Sequence, residues 1–372
     1  LSPWVAGADI IALGDGTHGT REYYTVKRRL LQFFAEAGIA RTVVFEGPWP
    51  EFLKVNDYVQ GGDADPREAL LEMTSYPFWR AEEILELTEW AREFNASRAP
   101  DERIEILGAD VYLDNPRAAA DLVVEFLQEV DPVAAEAAVE SYACVPESIK
   151  TSAQCGVSIM AVRVVVEQNA EAYQAASSLR SYQRALHSAR VLEQLNGWFQ
   201  AAPADKDAVR DTGLAANVAW FSEEWTGSER LLVWMHSAHI GKLPALGDWK
   251  SMGQHLVEKY GSRYFAIGTC MLNGTLRVYF GTSSVVSIQA PLPTNYELLF
   301  ARASWDAMVV PLFHPDTPEW LVGPGNMRIA TGGYDPTKAL PYHNASFSLP
   351  DKYDAVIYIR ETSPIATLDD VP

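Results

Sequence analysis

Asp15, His18, Glu46, Asp110, His236 and His239 are the residues of this chain whose types and places suit chemistry. Asp15, Thr17 and His18 lie among glycines in the run Gly14 to Gly19. Glu46 follows the apolar run Thr42 to Phe45. Asp110 follows Ile104 to Leu107, and His236-Ser237-Ala238-His239 follows Leu231 to Met235. A neutral imidazole takes a proton from water, and a carboxylate at its other nitrogen stabilises the cation so formed. His18 suits that role. It lies just before a helix, whose positive end disfavours imidazolium, and Asp15 or Glu46 is placed to hold its second nitrogen. His236 and His239 fit two roles. They could join Glu46 around zinc or manganese, or donate hydrogen bonds to a carbonyl oxygen that becomes an oxyanion. Spacing does not choose between these, because the chain has no HExxH run. Asp110 suits substrate binding and equally a cap on the following turn. Arg21, beside the glycine loop, is a candidate for substrate binding or for pairing with Glu46 or Asp15. The run Lys27-Arg28-Arg29 reads as a solvated helix face.

Two other chemistries are weighed on the same residues. Gly14-x-Gly16-x-x-Gly19 between a strand and a helix is the dinucleotide pattern. Asp15 would set a negative charge beside the pyrophosphate, and Glu46 lies further on than the usual ~20 residues; both count against it. For covalent catalysis there is no GxSxG elbow and no cysteine in a His-rich or Gly-rich loop. Direct activation of water is favoured.

Such a site needs strand ends and helix starts to assemble it. Ile10 to Leu13, Thr42 to Phe45, Ile104 to Leu107, Leu231 to Met235 and Ala355 to Ile359 are short apolar runs, as expected for strands buried on both faces. Arg21 to Glu36 has a helical apolar stripe ended by Gly38. Glu51 to Tyr58, Ala81 to Asn95 and Gly253 to Tyr260 also read as helices, and Asp65-Pro66 starts another. Pro116 to Val130, Pro132 to Tyr142, a very long segment from Ser152 to Phe199, and Ala208 to Trp225 are helical in pattern. Asn273-Gly274 signals a hairpin between Tyr264 to Met271 and Thr275 to Phe280, and Pro291 to Asn344 alternates helix, strand and loop. The alternation predicts an α/β fold: a mainly parallel central sheet flanked by helices, with a long helical insertion capping an active-site cleft. Residues 1–114 and 226–372 form the α/β core in this reading, and residues 115–225 the insertion.

A net charge of −19 argues against nucleic acid and anionic membranes as partners and leaves a small-molecule substrate. Cys144, Cys155 and Cys270 are too few and scattered for a disulfide framework or thiolate zinc site. Structural roles and a reducing cytoplasm are expected. No apolar run is long enough for a membrane span, and LSPWVAGADII lacks the pattern of a signal peptide. Nothing in the pattern sets an oligomeric state.

Eight blocks occur in order: LGDGTHGTREYYTVKRRLLQF, FEGPWPE, YPFWRAEEILELTEWAREFN, LGAD, RDTGLAANVAW, VWMHSAHIGK, MGQHLVEKYG and YDAVIYIRET. Together they resemble the erythromycin esterase family over nearly the whole chain, most weakly across Asn115 to Phe199. The resemblance implies an α/β fold with a helical insertion over a deep cleft, and hydrolysis of a macrolactone ester. It gives His18 the role of the base that activates water. It matches Glu46 to the family's second-strand Glu, and His236 and His239 to its paired histidines. No cofactor is asserted; a divalent metal stays open. One departure is that Asp15 stands where the family's first motif has Glu, withdrawing the carboxylate by about a bond length, and small misplacements cost rate steeply. Hydrolysis of an ester or lactone, macrolide-like or of another natural product, is the expected activity. The alternatives are a biosynthetic enzyme using the same site for elimination, cyclisation or transfer, and a catalytically weakened ligand-binding homologue.

Overall fold

The computed structural model of the chain describes residues 1–227, 229–244, 249–280, 282–313, 317–330, 334–338 and 343–370. Its first element is the strand β1 (Ile10–Asp15), followed by α1 (Arg21–Glu36), β2 (Ala40–Pro48), α2 (Trp49–Val59), α3 (Pro66–Leu71), α4 (Glu82–Asn95) and β3 (Glu105–Asp110). A run of helices comes next: α5 (Pro116–Val130), α6 (Pro132–Tyr142), α7 (Val145–Ser148), α8 (Ala153–Gln168), α9 (Ala170–Ala176), α10 (Leu179–Gln200) and α11 (Lys206–Trp220). The chain then returns to the sheet with β4 (Arg230–His236), α12 (Ser237–Ile240), α13 (Met252–Tyr260), β5 (Tyr264–Phe280), β6 (Thr282–Ser287), β7 (Ala307–Pro311), β8 (Gly325–Arg328), β9 (Asn344–Phe347) and β10 (Ala355–Thr362).

The main sheet runs β3-β2-β4-β1-β5-β10-β7. Every neighbouring pair on that path is parallel except β10 with β7. The α/β architecture with a mainly parallel central sheet, read from the sequence, is therefore the observed one. Parallel neighbours put the carboxyl ends of β1, β2, β3 and β4 at one edge, with Asp15 beside His236 and Pro48 beside Asp110 in register.

Alternation along each strand divides the core in two. Ile10, Ala12, Val44, Leu231, Val233 and Met235 pack in one apolar cluster with the residues of α5, α8, α10 and α11. Ile11, Leu13, Val43, Phe45, Leu232 and Trp234 pack in the other, with α1 and α4. Local chemistry sets the helix starts. Asn115, Asp131, Ser152 and Ser178 each accept a backbone N–H of the first turn of α5, α6, α8 and α10, and Pro116 and Pro132 stand where no N–H is needed.

Five expectations are corrected. The segment Ser152 to Phe199 is three helices, broken at Asn169 and at Ser177-Ser178, and the helix expected to reach Trp225 ends at Trp220 in a π turn, Phe221–Trp225. Asn273-Gly274 is not a hairpin turn: β5 runs straight through it, pairing with β10 up to Gly274 and with β6 from Thr275 onward. Gly274 has φ +128, and a Cβ there would come within 2.3 Å of the Thr362 carbonyl oxygen; glycine serves a change of partner rather than a reversal. Lys27 is not on a solvated face but fully buried. Cys144 and Cys155 form a disulfide between the end of α6 and the start of α8, and Cys270 is the buried free thiol. Disulfides persist where the surroundings are oxidising, so the cysteines lend no support to a reducing compartment. The stretch Pro291 to Asn344 contains helix and strands as expected, with residues 314–316, 331–333 and 339–342 outside those described. No helix among the described residues is long and apolar enough to cross a membrane.

Candidate active site

The glycine loop is shaped by packing, not by a phosphate. A Cβ on Gly19 would lie 1.8 Å from the Arg277 carbonyl oxygen, and one on Gly14 would lie 2.5 Å from Ser237 Oγ. The Gly16 N–H already donates to Thr269 Oγ1 at 2.6 Å. The space beside the glycines of the dinucleotide pattern is thus filled by α12 and β5, and the loop delivers His18 to the strand ends.

His18 is buried with its ring stacked on Phe78, 4.1 Å between centroids, and its carbonyl held by the Tyr24 hydroxyl at 2.6 Å. Its Nε2 lies 3.8 Å from Glu46 Oε1, and its Nδ1 lies 3.8 Å from Asp15 Oδ2 without a hydrogen bond. Asp15 is turned elsewhere. Its Oδ1 pairs with Lys27 Nζ at 2.6 Å and its Oδ2 accepts from Trp234 Nε1 at 3.1 Å. Burial lowers the Lys27 pKa to about 8, against the pull of Asp15.

Glu46 is the hinge of the floor. The ladder between β2 and β4 ends at Phe45 and Trp234, and two residues on along β4 the His236 N–H goes to Glu46 Oε2 at 2.7 Å. Glu46 Oε1 faces Arg210 Nη2 at 2.8 Å and His239 Nε2 at 3.4 Å. Burial would raise its pKa, but His239, His18 and Arg210 hold the carboxylate well below its usual range. Arg210, from the first turns of α11, also donates Nε–H to Asp110 Oδ1 at 3.0 Å, and its Nη2 bonds Asp110 Oδ2. Asp110 therefore faces Arg210 rather than open space, while its Oδ1 also caps the turn by accepting the Tyr112 N–H at 3.3 Å.

The two histidines after β4 differ. His236 Nδ1 accepts the Ala238 N–H at 3.1 Å, so its proton sits on Nε2 when the ring is neutral. Burial, then the nearby His18, lower its pKa well below the ordinary value. His239 Nδ1 meets Asp211 Oδ1 at 2.8 Å. Burial alone would lower its pKa, but Asp211 and Glu46 raise it to about 10 against the opposition of Arg210. Arg210 Nη1 stands 3.1 Å from His239 Nε2, a hydrogen bond to the neutral ring. In the imidazolium that the two carboxylates favour, Nε2–H instead points to Glu46.

A cleft of about 690 Å³ opens over this floor, walled by Tyr76, Phe78, Tyr112, Trp198 and Trp249. His18, Glu46, His236 and His239 line it directly. Asp15 and Asp110 lie beneath it, paired with Lys27 and Arg210. Arg21 is not in the group: it is half-exposed and pairs with Glu83 at 2.9 Å, so the expected pairing with Glu46 or Asp15 is not made. Sequence reading passed over Arg210 and Asp211 and set Lys27 on a solvated face. Lys27 had a legible signal, since it falls on the stripe Tyr23, Lys27, Leu31 that α1 buries. Arg210 and Asp211 had only their place in the block RDTGLAANVAW. Among the described residues no three His, Cys, Asp or Glu side chains are disposed to hold a metal ion.

A mainly parallel sheet with histidines and carboxylates gathered at its strand ends, beside helices, defines an α/β protein with a buried titratable cluster at the mouth of a cleft. The chain belongs to the erythromycin esterase family, whose sequence profile matches residues 36–362. It is 25% identical to erythromycin esterase type II of Escherichia coli over 300 residues, 71% of this chain and 69% of that one. Its fold is similar to that of a Bacillus cereus protein, with a TM-score of 0.85 at 22% identity over 98% of this chain and 91% of that one. It is also similar to a mutant of the erythromycin esterase EreC in its open conformation, with a TM-score of 0.75 at 16% identity over 100% and 95% of the two chains. Membership of the family supports a hydrolase-like function.

Proposed function

We propose that this protein is a carboxylic ester hydrolase in which His18 activates water against an ester or lactone of a macrolide-like or other natural product. The observation that carries the reading is the convergence of His18 Nε2, Glu46, Arg210 and His239 on one cleft floor. His18 takes a proton as water adds to the carbonyl carbon. Glu46, anionic and 3.8 Å from Nε2, stabilises the imidazolium so formed. The oxygen that gains charge meets the N–H donor on His239. Collapse of the tetrahedral adduct breaks the acyl–oxygen bond, and the departing alkoxide takes the proton back from His18. The residues supply every step, and the cleft's aromatic walls suit the apolar body of a large substrate.

The test is incubation of wild type and His18→Ala with a panel of macrolides and simpler lactones, read by mass spectrometry with and without a chelator. Wild type should add one water to its substrate irrespective of chelator, and the variant should lose about 10²–10⁴-fold in rate. Wild-type-like turnover in a folded His18→Ala would sink the assignment of the base.

A further inference from the structure

Asp211 follows Arg210 on α11 and faces the same floor, yet the chemistry above gives it no task. It is buried, and both its oxygens are used. Oδ1 accepts His239 Nδ1–H at 2.8 Å and the Met252 N–H, from the start of α13, at 2.8 Å. Oδ2 accepts Trp249 Nε1–H at 3.0 Å. One carboxylate thus ties together the helix that carries it, the residue after β4 that faces the cleft, the cleft wall at Trp249 and the start of the next helix.

We propose that Asp211 is the positioning residue for His239, holding Nδ1–H toward itself so that Nε2 stays protonated on the cleft floor, a permanent donor shared between Glu46 and the substrate oxygen rather than a base. This rests on the hydrolase reading of the site. The contact to Glu46 cannot hold the ring alone: at 3.4 Å it is long, and Glu46 Oε1 is shared with Arg210 at 2.8 Å and faces His18 at 3.8 Å. The groups facing His239 are Asp211 and Arg210 from α11, Glu46 from β2, and His236 from the end of β4. Two of these are carboxylates, and Asp211 makes the closer contact. His236, kept neutral, adds no second cation. Asp211 is itself kept ionised: burial would raise its pKa, but His239, the Met252 N–H and the Trp249 N–H hold it below the ordinary value. Proton duties are divided accordingly. His18 cycles its proton while His239 keeps its own.

The experiment measures the His239 ring signal by NMR as a function of pH, assigned by comparison with His239→Gln, together with kcat and KM. It uses wild type, Asp211→Asn, Asp211→Glu and Trp249→Phe. In wild type the signal should remain that of imidazolium up to about pH 9. In Asp211→Asn it should titrate near neutrality, with kcat down about 10²-fold, KM within about threefold, and the alkaline limb of kcat moved to lower pH. Asp211→Glu should recover most of both. An unshifted His239 titration in Asp211→Asn, or a loss confined to KM, overturns the proposal. Should Asp211→Asn not fold, Trp249→Phe, which keeps the wall and removes one N–H from the carboxylate, leaves Asp211 a stronger acceptor for His239 Nδ1–H and should raise the His239 pKa by a smaller amount; no change there, or a fall, overturns it equally. A wild type that hydrolyses nothing sinks the hydrolase reading alone, since the NMR titration judges the Asp211–His239 pair without turnover.

Discussion

Helix α11 serves two buried histidines, one at each end, in opposite company. Near its start, Asp211 and Arg210 face His239 on the cleft floor, where carboxylates raise the imidazole to about 10. At its end, Trp220 stacks on His187 at 4.5 Å between centroids, and Trp49 closes the ring edge-on at 4.6 Å. Neither nitrogen of His187 has a partner, and burial drives its pKa down to about 3. Burial disfavours the charged ring in both places. What differs is whether a carboxylate is buried with it. A buried histidine is therefore no sign of function by itself; the sign is the acid that lies beside it.

The comparison breaks most severely if the floor loses its central cation. Arg210→Met would leave Glu46 and Asp110 buried with their shared guanidinium gone. Urea unfolding should show a loss of about 3–5 kcal/mol, with turnover abolished. A loss under about 1 kcal/mol would show that the floor does not depend on Arg210. The second test sharpens the contrast through pH. His187 has a folded pKa of about 3 against an ordinary 6.5, so its contribution to stability is complete above pH 6.5 and falls as the pH drops toward 3. Between pH 6.5 and 5 that is about 2 kcal/mol, and His187→Phe should flatten this part of the profile. His239 has the opposite sign. Its raised pKa contributes stability present below pH 6.5 and lost as the pH rises through about 10, so His239→Gln should flatten the alkaline side. Acid profiles identical in wild type and His187→Phe would contradict the contrast. The smallest effect lies in the aromatic core. Trp49 Nε1 donates to Ser188 Oγ at 2.9 Å, and Ser188→Ala should cost about 1 kcal/mol in thermal unfolding without changing turnover.

How much of this was legible depends on whether the signal was local. The helix Arg21–Glu36 and the helices Pro116–Val130 and Pro132–Tyr142 have the limits their sequences imply, because the apolar stripe, the capping Asn115 and Asp131, and the following prolines act within a few residues. The breaks at Asn169 and Ser177 were hidden, since Asn and Ser suit a helix surface as well as its end. Asn273-Gly274 misled for a related reason. A positive φ is needed there, but β10 and β6 decide that it serves a strand changing partners. In the site, His18, Glu46, His236 and His239 announced themselves by following apolar runs. Arg210 did not, because an arginine in the first turns of a helix is ordinarily solvated.

The order of residues alone makes the chain alternate strand and helix, buries its strands on both faces, and sets acids and histidines after strands rather than within them. Parallel pairing then leaves one edge where they can meet. Which charge faces which is set by the packing of distant elements. Lys27 rather than His18 took Asp15, and Glu83 took Arg21. Arg210 bridged Glu46 to Asp110 across 164 and 100 residues of chain. A buried charge settles on whichever opposite charge packing brings within about 3 Å, and that distance is set by the crossing of elements far apart in sequence.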